Sequence, residues 1–524
     1  MRFFKLIALL SFLILSCRNQ NSKETTSSQD DSAKTSESSY TEKFRPQFHF
    51  SPPSKWMNDP NGLVYNDGIY HLFYQYYPED IVWGPMHWGH ATSEDLIRWE
   101  NKPIALYPDE YGYIFSGSAV VDKTNSSGFG TKDNPPLVAM FTYHSDELVK
   151  KGNNDHQTQG IAYSLDNGDT WKKYEGNPVI GNDGMMDFRD PKVFWHDELN
   201  KWILILVAGD HAKFYHSDNL KDWELKSEFG KNIGAHGGVW ECPDLFRLPV
   251  ENGEEEKWVL LISINPGGTH GGSATQYFVG EFDGETFTTN QKDIKWLDLG
   301  ADNYAGITYN NVPNNERIFI GWMSNWLYAQ KVPTEVWRSA MTLPRTIKLF
   351  SDENGYYLKN YPIENFSTLY SSKNDYPNEI DLKEDITLDS SNFSAVDISF
   401  QMNLSKDLQL EFYNAKDEKL VFEMDSKTSE LKIDRKTSGL TDFEEHFATN
   451  IKPMPYNPED RIVEVRLIVD EASMEIFVDK GKYALTNIMF PTENYSKLKL
   501  TSEDDTVLTN FKVNNVKSIW NNEK

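Results

Sequence analysis

Between residues 44 and 349 the apolar positions form short runs separated by polar turns, and no stretch repeats with a helical period. Five of these runs are rich in aliphatic and aromatic residues, as buried strands are. The five runs are Ile69–Tyr76, Leu137–Tyr143, Lys201–Ala208, Lys257–Ile264 and Arg317–Met323. A shorter strand-like run precedes each of them, at Gly62–Tyr65, Gly117–Val121, Lys192–Trp195, Leu245–Leu248 and Gly306–Tyr309. The pattern predicts five units built from strands.

A second repeat supports this division. Ser93–Trp99, Ser164–Trp171 and Ser217–Trp223 each begin with Ser, carry an Asp within two residues and end in Trp. These segments predict hairpin turns at the outer end of a repeated unit. All-strand repeats of roughly fifty to seventy residues are typical of a β-propeller. We therefore predict an all-β fold that begins with a five-bladed β-propeller over residues 44–349.

Beyond residue 349 the pattern changes. Residues 350–368 are predicted to form a linker, and from residue 369 apolar side chains occupy every second position of several short segments. These segments are Ile398–Leu404, Leu408–Tyr413, Leu420–Met424, Val463–Leu467 and Met474–Val478. Such alternation is typical of antiparallel sheets with one buried face. It predicts a C-terminal β-sandwich over residues 369–524, with a structural or carbohydrate-contacting role.

The N-terminus has the pattern of an export signal. A short basic start is followed by an apolar run from Leu6 to Leu15, which is too short to span a bilayer. Ile14-Leu-Ser-Cys17 resembles the lipid-attachment box of bacterial lipoproteins, which predicts residues 1–17 as a lipoprotein signal and Cys17 as the lipidated residue. An ordinary signal peptide with a chance Cys is the alternative. Residues 18–43 are almost entirely polar and predict a disordered tether, so we expect an exported protein anchored to a membrane.

Composition narrows the range of partners. Asp plus Glu number 79 and Lys plus Arg 52, a net charge of −27, which repels phosphate backbones and argues against nucleic acid. The only two cysteines are Cys17 and Cys242, so disulfides do not stabilise the chain. His87 and His90 suggest a metal site at first sight, but no Cys or acidic ligands cluster with them, and we interpret both as structural. We predict no metal and no cofactor.

Three acidic motifs carry the candidate chemistry. They are Trp56-Met-Asn-Asp-Pro-Asn-Gly62, Arg189-Asp-Pro191 and Glu241-Cys-Pro-Asp244. Pro and Asn-Gly predict a tight turn that fixes the angle of Asp59; an ordinary polar turn is the alternative for this motif, and a surface ion pair for Arg189-Asp190. Each motif directly precedes the first strand of a unit. Since the innermost strands of a propeller line its axis, Asp59, Asp190 and Glu241 are predicted to meet in one pocket.

These motifs, with Trp83–Ala91, Phe115–Ser118 and Ser473–Phe477, resemble glycoside hydrolase family 32, the invertases, levanases and exo-inulinases that act on β-fructofuranosides. The resemblance covers residues 48 to about 513 and implies a five-bladed propeller followed by a β-sandwich. It implies that Asp59 is the nucleophile, Glu241 the general acid/base and Asp190 a stabiliser that binds fructosyl hydroxyls. A retaining glycosidase holds its two carboxylates about 5–5.5 Å apart, and their pKa values must differ.

The resemblance also implies a set of sugar-binding residues, namely Asn58, Pro60, Asn61, Gln75, Trp83, Phe115, Ser116, Arg189 and Trp326. Trp326 is the predicted aromatic wall, and Trp322 is the alternative. Arg189 is expected to keep Asp190 ionised. Cys242 is predicted to be a buried neighbour of the acid, since no partner base for a cysteine nucleophile is evident.

The sequence therefore predicts a retaining β-fructosidase that releases terminal fructose from levan, inulin or sucrose. An endo-acting levanase or inulinase and a fructosyltransferase are alternatives with the same chemistry. A non-catalytic fructan-binding surface lipoprotein is a further alternative, which retention of all three carboxylates disfavours. A sialidase would need an arginine triad and a tyrosine nucleophile, which we do not find.

Overall fold

The computed structural model describes residues 40–373 and 376–520. The predictions for residues 1–17, including Cys17, and for residues 18–39 lie outside the described residues. Within the described part of the chain, no helix is long and apolar enough to cross a membrane. Residues 40–43, which were predicted to belong to the tether, are part of the folded body. The ring of Tyr40 stacks on Trp520 at 3.8 Å, and Asn101 Nδ2 donates to the Tyr40 hydroxyl at 2.8 Å.

The first part of the chain forms five antiparallel sheets in sequence order. The first contains β1 (Lys55–Asn66), β2 (Ile69–Tyr77), β3 (His87–Ser93) and β4 (Glu100–Leu106). The second contains β5 (Tyr113–Val121), β6 (Leu137–His144), β7 (Gln157–Ser164) and β8 (Lys172–Lys173), with helix α1 (Asp146–Lys150) between β6 and β7. The third contains β9 (Phe188–His196), β10 (Lys201–Ala208), β11 (His211–Ser217) and β12 (Glu224–Phe229).

The fourth sheet contains β13 (Val239–Pro249), β14 (Glu256–Asn265), β15 (Ala274–Phe282), β16 (Phe287–Thr288) and β17 (Lys295–Trp296). The fifth contains β18 (Tyr304–Thr308), β19 (Ile318–Met323), β21 (Ala340–Met341), β22 (Arg345–Asp352) and β23 (Gly355–Pro362), with a 3₁₀ turn at Pro313–Asn315. A short strand, β20 (Trp337–Arg338), pairs in parallel with Lys55 and Trp56 of β1 and so joins the end of this part to its beginning.

The first strands of the five sheets form a closed ring. Each of β1, β5, β9 and β13 contacts the first strand of the next sheet, and β18 contacts β1. This arrangement is that of a propeller, and the five sheets are consistent with the five predicted blades. The three Ser…Trp repeats form the turns between the third and fourth strands of the first three sheets, where Ser93, Ser164 and Ser217 each accept backbone N–H groups.

The predicted linker at 350–368 is corrected by the structure. Strand β22 runs to Asp352, and β23 pairs with it from end to end as the outermost strand of the fifth sheet. A 3₁₀ helix at Glu364–Leu369 then leads into the second part. The sequence missed β23 because an outer strand with one buried face has few consecutive apolar residues.

The second part is a sandwich of a seven-stranded and a six-stranded sheet. The seven-stranded sheet contains β24 (Tyr370–Lys373), β25 (Glu379–Asp381), β27 (Val396–Asn403), β32 (Ile462–Asp470), β33 (Ser473–Val478), β34 (Tyr483–Ile488) and β36 (Val507–Val516). The six-stranded sheet contains β26 (Ile386–Asp389), β28 (Leu408–Tyr413), β29 (Lys419–Asp425), β30 (Glu430–Thr437), β31 (Met454–Pro455) and β35 (Lys497–Thr501), and helix α2 (Glu445–Thr449) follows β30. Their inner faces share one apolar core, as the alternating pattern predicted.

Propeller and sandwich meet through buried charges, which we call the interface cluster: His49, Asp298, Asp302, Arg345, Arg435, Asp470 and Glu475. Arg345 lies 2.9 Å from Asp298 and 3.2 Å from Glu475, and Arg435 lies 2.6 Å from Asp302. His49 Nδ1 lies 2.8 Å from Asp470. Burial lowers the pKa of His49, but its contacts with Asp470 and Glu475 outweigh that effect and raise the pKa to about 9. The pairs Arg345–Glu475, Arg435–Asp302 and His49–Asp470 join the two parts of the chain.

Candidate active site

All five first strands of the propeller carry a break in register against the second strand of their sheet. The breaks lie between Met57 and Pro60, Ile114 and Gly117, Arg189 and Lys192, Glu241 and Asp244, and Tyr304 and Ile307. A β-bulge turns side chains away from the regular alternation and is common beside active sites. The motif at Trp56–Gly62 is thus a bulged segment of β1 and not the predicted turn before the strand.

The prolines of the acidic motifs explain three of these bulges. Pro60, Pro191 and Pro243 lie in or at the end of the bulges in β1, β9 and β13. Proline has no N–H to donate to a neighbouring strand, so regular pairing fails there. Asp190 has a φ of +62° and Cys242 a φ of +44°, a region that non-glycine residues occupy at a cost of about 1–3 kcal/mol each. The backbone is therefore strained at Asp190 and at Cys242, the residue after Glu241.

Asp59 is held by two side-chain donors. Ser116 Oγ donates to Asp59 Oδ2 at 2.6 Å, and Asn58 Nδ2 donates to Oδ1 at 3.0 Å. The Trp56 indole in turn donates to Asn58 Oδ1 at 2.7 Å, which fixes the orientation of that amide. Burial raises the pKa of Asp59 above its ordinary value, and the bonds from Ser116 and Asn58 offset only part of this increase. These donors favour the ionised form that a nucleophile requires.

Asp190 lies beside a cation, Arg189. Arg189 Nε is 3.8 Å from Asp190 Oδ2, and the Cys242 backbone N–H donates to the same oxygen at 3.0 Å. The Asp190 N–H donates to Thr142 Oγ1 at 3.0 Å. Burial raises the pKa of Asp190 to about 6, against the lowering effect of Arg189 and with a further increase from Asp59. The expectation that Arg189 favours ionisation of Asp190 holds in direction, but burial outweighs it.

Glu241 has the environment of a proton donor. Arg189 Nη2 donates to its Oε1 at 2.8 Å. Its other oxygen, Oε2, is buried without a hydrogen-bond partner among the residues that the structure describes. Burial raises the pKa of Glu241 to about 7 despite Arg189, and the charges of Asp190 and Asp59 add to the increase. Burial thus favours the protonated form of Glu241, as a proton donor requires.

Cys242 lies between two carboxylates as a neutral thiol. Its Sγ is 3.7 Å from Asp59 Oδ2 and 3.7 Å from Asp190 Oδ2. Burial raises the pKa of this thiol well above its ordinary value, and the neighbouring carboxylates raise it further. A thiolate nucleophile is thereby disfavoured. The prediction of a buried neighbour is correct, but the sequence did not reveal that the Cys242 thiol lies within hydrogen-bonding distance of both aspartates.

Three of the predicted sugar-binding residues are aromatic. The Trp83 ring is 37% exposed and meets Phe115 edge-on at 6.1 Å. Trp326 is half-buried and packs on Trp56 and Trp322 at 5.8 and 4.9 Å. Trp322 is fully buried. Trp326 is thus the more accessible of the two tryptophans proposed as a wall.

The amide side chains are partly used within the protein. Gln75 Nε2 donates to the Ile114 carbonyl at 3.0 Å, so this buried amide has a partner within the protein. Asn61 Nδ2 donates to the Asp59 carbonyl at 3.0 Å, and its Oδ1 accepts the Gly117 N–H at 3.2 Å. Asn61 therefore joins the first two blades behind the nucleophile candidate. Pro60 is buried beside it.

The two motif histidines have neighbours inside the first blade. His90 Nε2 lies 3.1 Å from His71 Nδ1, and its ring stacks on Phe73 at 4.2 Å. His87 Nδ1 lies 2.9 Å from the Pro85 carbonyl. Among the described residues, the one group of three side chains close enough to share a metal ion is Glu444, Glu445 and His446. That group lies on the sandwich, where Glu444 is already bonded to Lys331.

Two contacts were not predicted from the sequence. Thr142, at the end of a buried run, supports the Asp190 backbone. Asp187 lies 2.5 Å from Arg189. A strand pattern does not predict this contact, because the φ of +55° at Asp187 interrupts the extended alternation.

Comparison with known proteins assigns the chain to a family. Residues 49–362 match the N-terminal domain of glycosyl hydrolases family 32, and residues 365–516 match the C-terminal domain of the same family. The chain belongs to glycoside hydrolase family 32. It is therefore a glycoside hydrolase, and the family resemblance of its motifs is confirmed.

The relatives of this family 32 chain include characterised fructan hydrolases. It is 43% identical to the levanase of Bacillus subtilis over 501 residues, which cover 93% of this chain and 73% of that protein. It is 41% identical to an extracellular exo-inulinase of Aspergillus niger, over 92% of this chain and 96% of that protein. The crystal structure of exo-inulinase from Aspergillus awamori superimposes with a TM-score of 0.84 at 38% identity, covering 92% of this chain and all of that one. The β-fructofuranosidase of Schwanniomyces occidentalis in complex with fructosyl-erythritol gives a TM-score of 0.80 at 32% identity, over 92% of this chain and 99% of that one.

Proposed function

We propose that the protein is a retaining β-fructosidase that removes terminal fructosyl residues from levan, inulin or sucrose. The observation that carries this proposal is the arrangement of three carboxyl groups on the bulges of β1, β9 and β13. Their environments differ in the way that a double-displacement reaction needs. Burial raises the pKa of both groups, but Ser116 and Asn58 donate to Asp59 and stabilise its ionised form. The pKa of Glu241 rises to about 7. The levanase and exo-inulinases among the relatives support the choice of substrate.

In this reaction Asp59 attacks the anomeric carbon of the fructosyl unit while Glu241 protonates the departing oxygen. The products of this step are a covalent fructosyl-enzyme and the shortened chain. Glu241, now ionised, takes a proton from water, which attacks the same carbon and releases fructose with retained configuration. Asp190 binds the sugar hydroxyls, with contacts that strengthen as the ring flattens. Trp83, Phe115 and Trp326 offer apolar faces to the sugar.

We also propose that the protein is exported and anchored through lipid on Cys17. The relative from Aspergillus niger is an extracellular enzyme, and a polymeric substrate too large to import requires an enzyme outside the cell. Labelling with a radioactive fatty acid in a bacterial host should mark the full chain but not a Cys17→Ser variant. An unlabelled full chain would refute the anchor.

The test of the activity is a time course of products. Protein lacking residues 1–17 is incubated with levan, inulin and sucrose, and products are separated by chromatography for the unmodified chain, Asp59→Asn and Glu241→Gln. We expect fructose as the sole early product from the fructans and loss of activity in both variants. Early oligosaccharides would indicate endo-action, and products longer than sucrose a fructosyltransferase. Binding of fructan without cleavage would refute the proposed fructosidase activity.

A further inference from the structure

Arg189 is shared by two carboxyl groups on opposite ends of its guanidinium. Nη2 donates to Glu241 Oε1 at 2.8 Å, and Nη1 donates to Asp187 Oδ1 at 2.5 Å. A guanidinium is a planar, rigid fork, so fixing one of its nitrogens fixes the direction of the other. The position of the Asp187 carboxylate thus determines how Arg189 meets Glu241.

Asp187 is itself held in a defined place. Its φ of +55° lies in the left-handed region, and its carbonyl accepts the Gly209 N–H at 3.2 Å. The Gly209 carbonyl in turn accepts the N–H of Trp240, the residue before Glu241, at 2.8 Å. The backbone therefore links Asp187 to Glu241 by a path that does not involve either side chain. Replacing the carboxylate leaves this path intact.

The charges around the pair make the position of Arg189 important. Glu241 faces Arg189, Asp190 and Asp59, and Arg189 faces Glu241, Asp190 and Asp187. His144 lies near both Arg189 and Asp187, but burial and its neighbours lower its pKa to about 4, so it stays neutral at neutral pH. An Arg189 that interacted with Glu241 and Asp190 alone would favour the ionised form of Glu241 more strongly.

We propose that Asp187 is a positioning residue that fixes the direction of Arg189 and takes up part of its charge, so that Glu241 keeps the proton destined for the departing sugar. This inference rests on the proposed function, in which Glu241 is the acid. Asp187 does not touch the reacting atoms; it acts through Arg189. Asp187 lies outside the three sequence motifs, so the proposal adds to the site a residue that the motifs do not contain.

The test compares pH profiles of kcat/KM for sucrose hydrolysis. Asp187→Asn removes the charge, keeps the size and tolerates a positive φ, because Asn is common in the left-handed region. We expect the alkaline limb of the profile to move to lower pH by about half to one unit, with a lower kcat and an almost unchanged KM. Asp210→Asn is the matched control, since Asp210 is bonded to His236 and makes no contact with Arg189. Its profile should equal that of the unmodified enzyme.

A second substrate distinguishes a positioning role of Asp187 from a general loss of active-site structure. An aryl β-fructofuranoside has a leaving group that departs without protonation, so the Asp187→Asn defect should shrink on it. Asp187→Gly, which accepts the backbone conformation at no steric cost, should shift the profile in the same direction if Asp187→Asn fails to fold. An unshifted profile, or an equal loss on both substrates, would overturn the inference. If the unmodified enzyme hydrolyses neither substrate, it is the proposed function that fails.

Discussion

The pocket and the interface cluster both bury several carboxyl groups, but they differ in how many cations accompany them. The interface cluster has the three cations His49, Arg345 and Arg435 beside the four carboxylates Asp298, Asp302, Asp470 and Glu475. In the pocket, Arg189 is paired with the three carboxyl groups of Asp187, Asp190 and Glu241. Both counts refer to the described residues. The interface cluster can be almost neutral with all groups charged, whereas the pocket cannot.

The pKa values follow this difference. Burial raises the pKa of Glu475 in the interface cluster, yet Arg345 and His49 outweigh burial and hold it below its ordinary value. In the pocket, burial dominates and the pKa of Glu241 rises to about 7. Burial raises the pKa at both places, but the outcomes are opposite because the number of nearby cations differs. One region favours a stable assembly, and the other retains a proton that can be used in catalysis.

The largest expected effect comes from neutralising the pocket carboxylates. Glu241→Gln should lower kcat on sucrose by about 10²–10⁴-fold, the usual contribution of a general acid/base, and Asp59→Asn should lower it further. Neither variant should lose stability, because each removes a buried charge that lacks full compensation. Activity assays and thermal unfolding of the same preparations check both statements. A large fall in both Tm and activity would show that the pocket carboxyl groups stabilise the fold, as those of the interface cluster do, and would contradict the proposed difference.

The opposite behaviour is expected at Arg345. Arg345→Met leaves Asp298 and Glu475 buried without their shared cation, and breaking a buried pair in this way costs about 3–5 kcal/mol. The pH profile of the remaining folded enzyme should not change. Arg247→Met is the control, since its pairs with Glu198 and Glu256 are exposed and should contribute about 0–1 kcal/mol. Equal losses of stability in Arg345→Met and Arg247→Met would refute the claim that the buried pairs of the interface cluster stabilise the protein more than exposed pairs do.

His49 should make stability depend on pH in a defined direction. Its pKa is about 9 in the folded protein and about 6.5 when unfolded, so the folded state binds the proton more tightly. The corresponding stabilisation is complete below pH 6.5 and is lost as the pH rises to 9, up to about 3 kcal/mol. The Tm measured across this range should fall for the unmodified protein and fall less for His49→Gln. Parallel curves for the two proteins would contradict this assignment.

A smaller effect is expected at Ser116. Its hydroxyl donates to Asp59 at 2.6 Å and lowers the pKa of that carboxyl group. Ser116→Ala should therefore raise the pKa of Asp59 and move the acidic limb of the activity profile upward by about one pH unit. Ser164→Ala, in a hairpin turn outside the pocket, serves as the control. An acidic limb at the same pH in Ser116→Ala and the unmodified enzyme would show that Ser116 does not lower the pKa of Asp59.

The fold and the three carboxyl groups were accessible from the sequence because each depends on local pattern. Strand periodicity gave five sheets and a sandwich, and three Pro-containing acidic motifs marked the inner strands. The bulges were missed, since the sequence of Trp56–Gly62 suits a turn equally well. Asp187 was missed because its role depends on Arg189 reaching across to Glu241 on the next sheet. The interface cluster joins residues more than four hundred positions apart, such as His49 and Asp470, and no local pattern reveals such pairs.

The most direct test of the central claim is to trap the covalent intermediate. Glu241→Gln is incubated with an aryl β-fructofuranoside, whose leaving group needs no acid, so that the first step proceeds while the second lacks its base. Digestion and mass spectrometry of the peptide containing Asp59 should then show one added fructosyl unit on that residue. A fructosyl unit on another residue, or release of fructose with inverted configuration and no labelled peptide, would contradict the assignment of Asp59 as the nucleophile of a retaining enzyme.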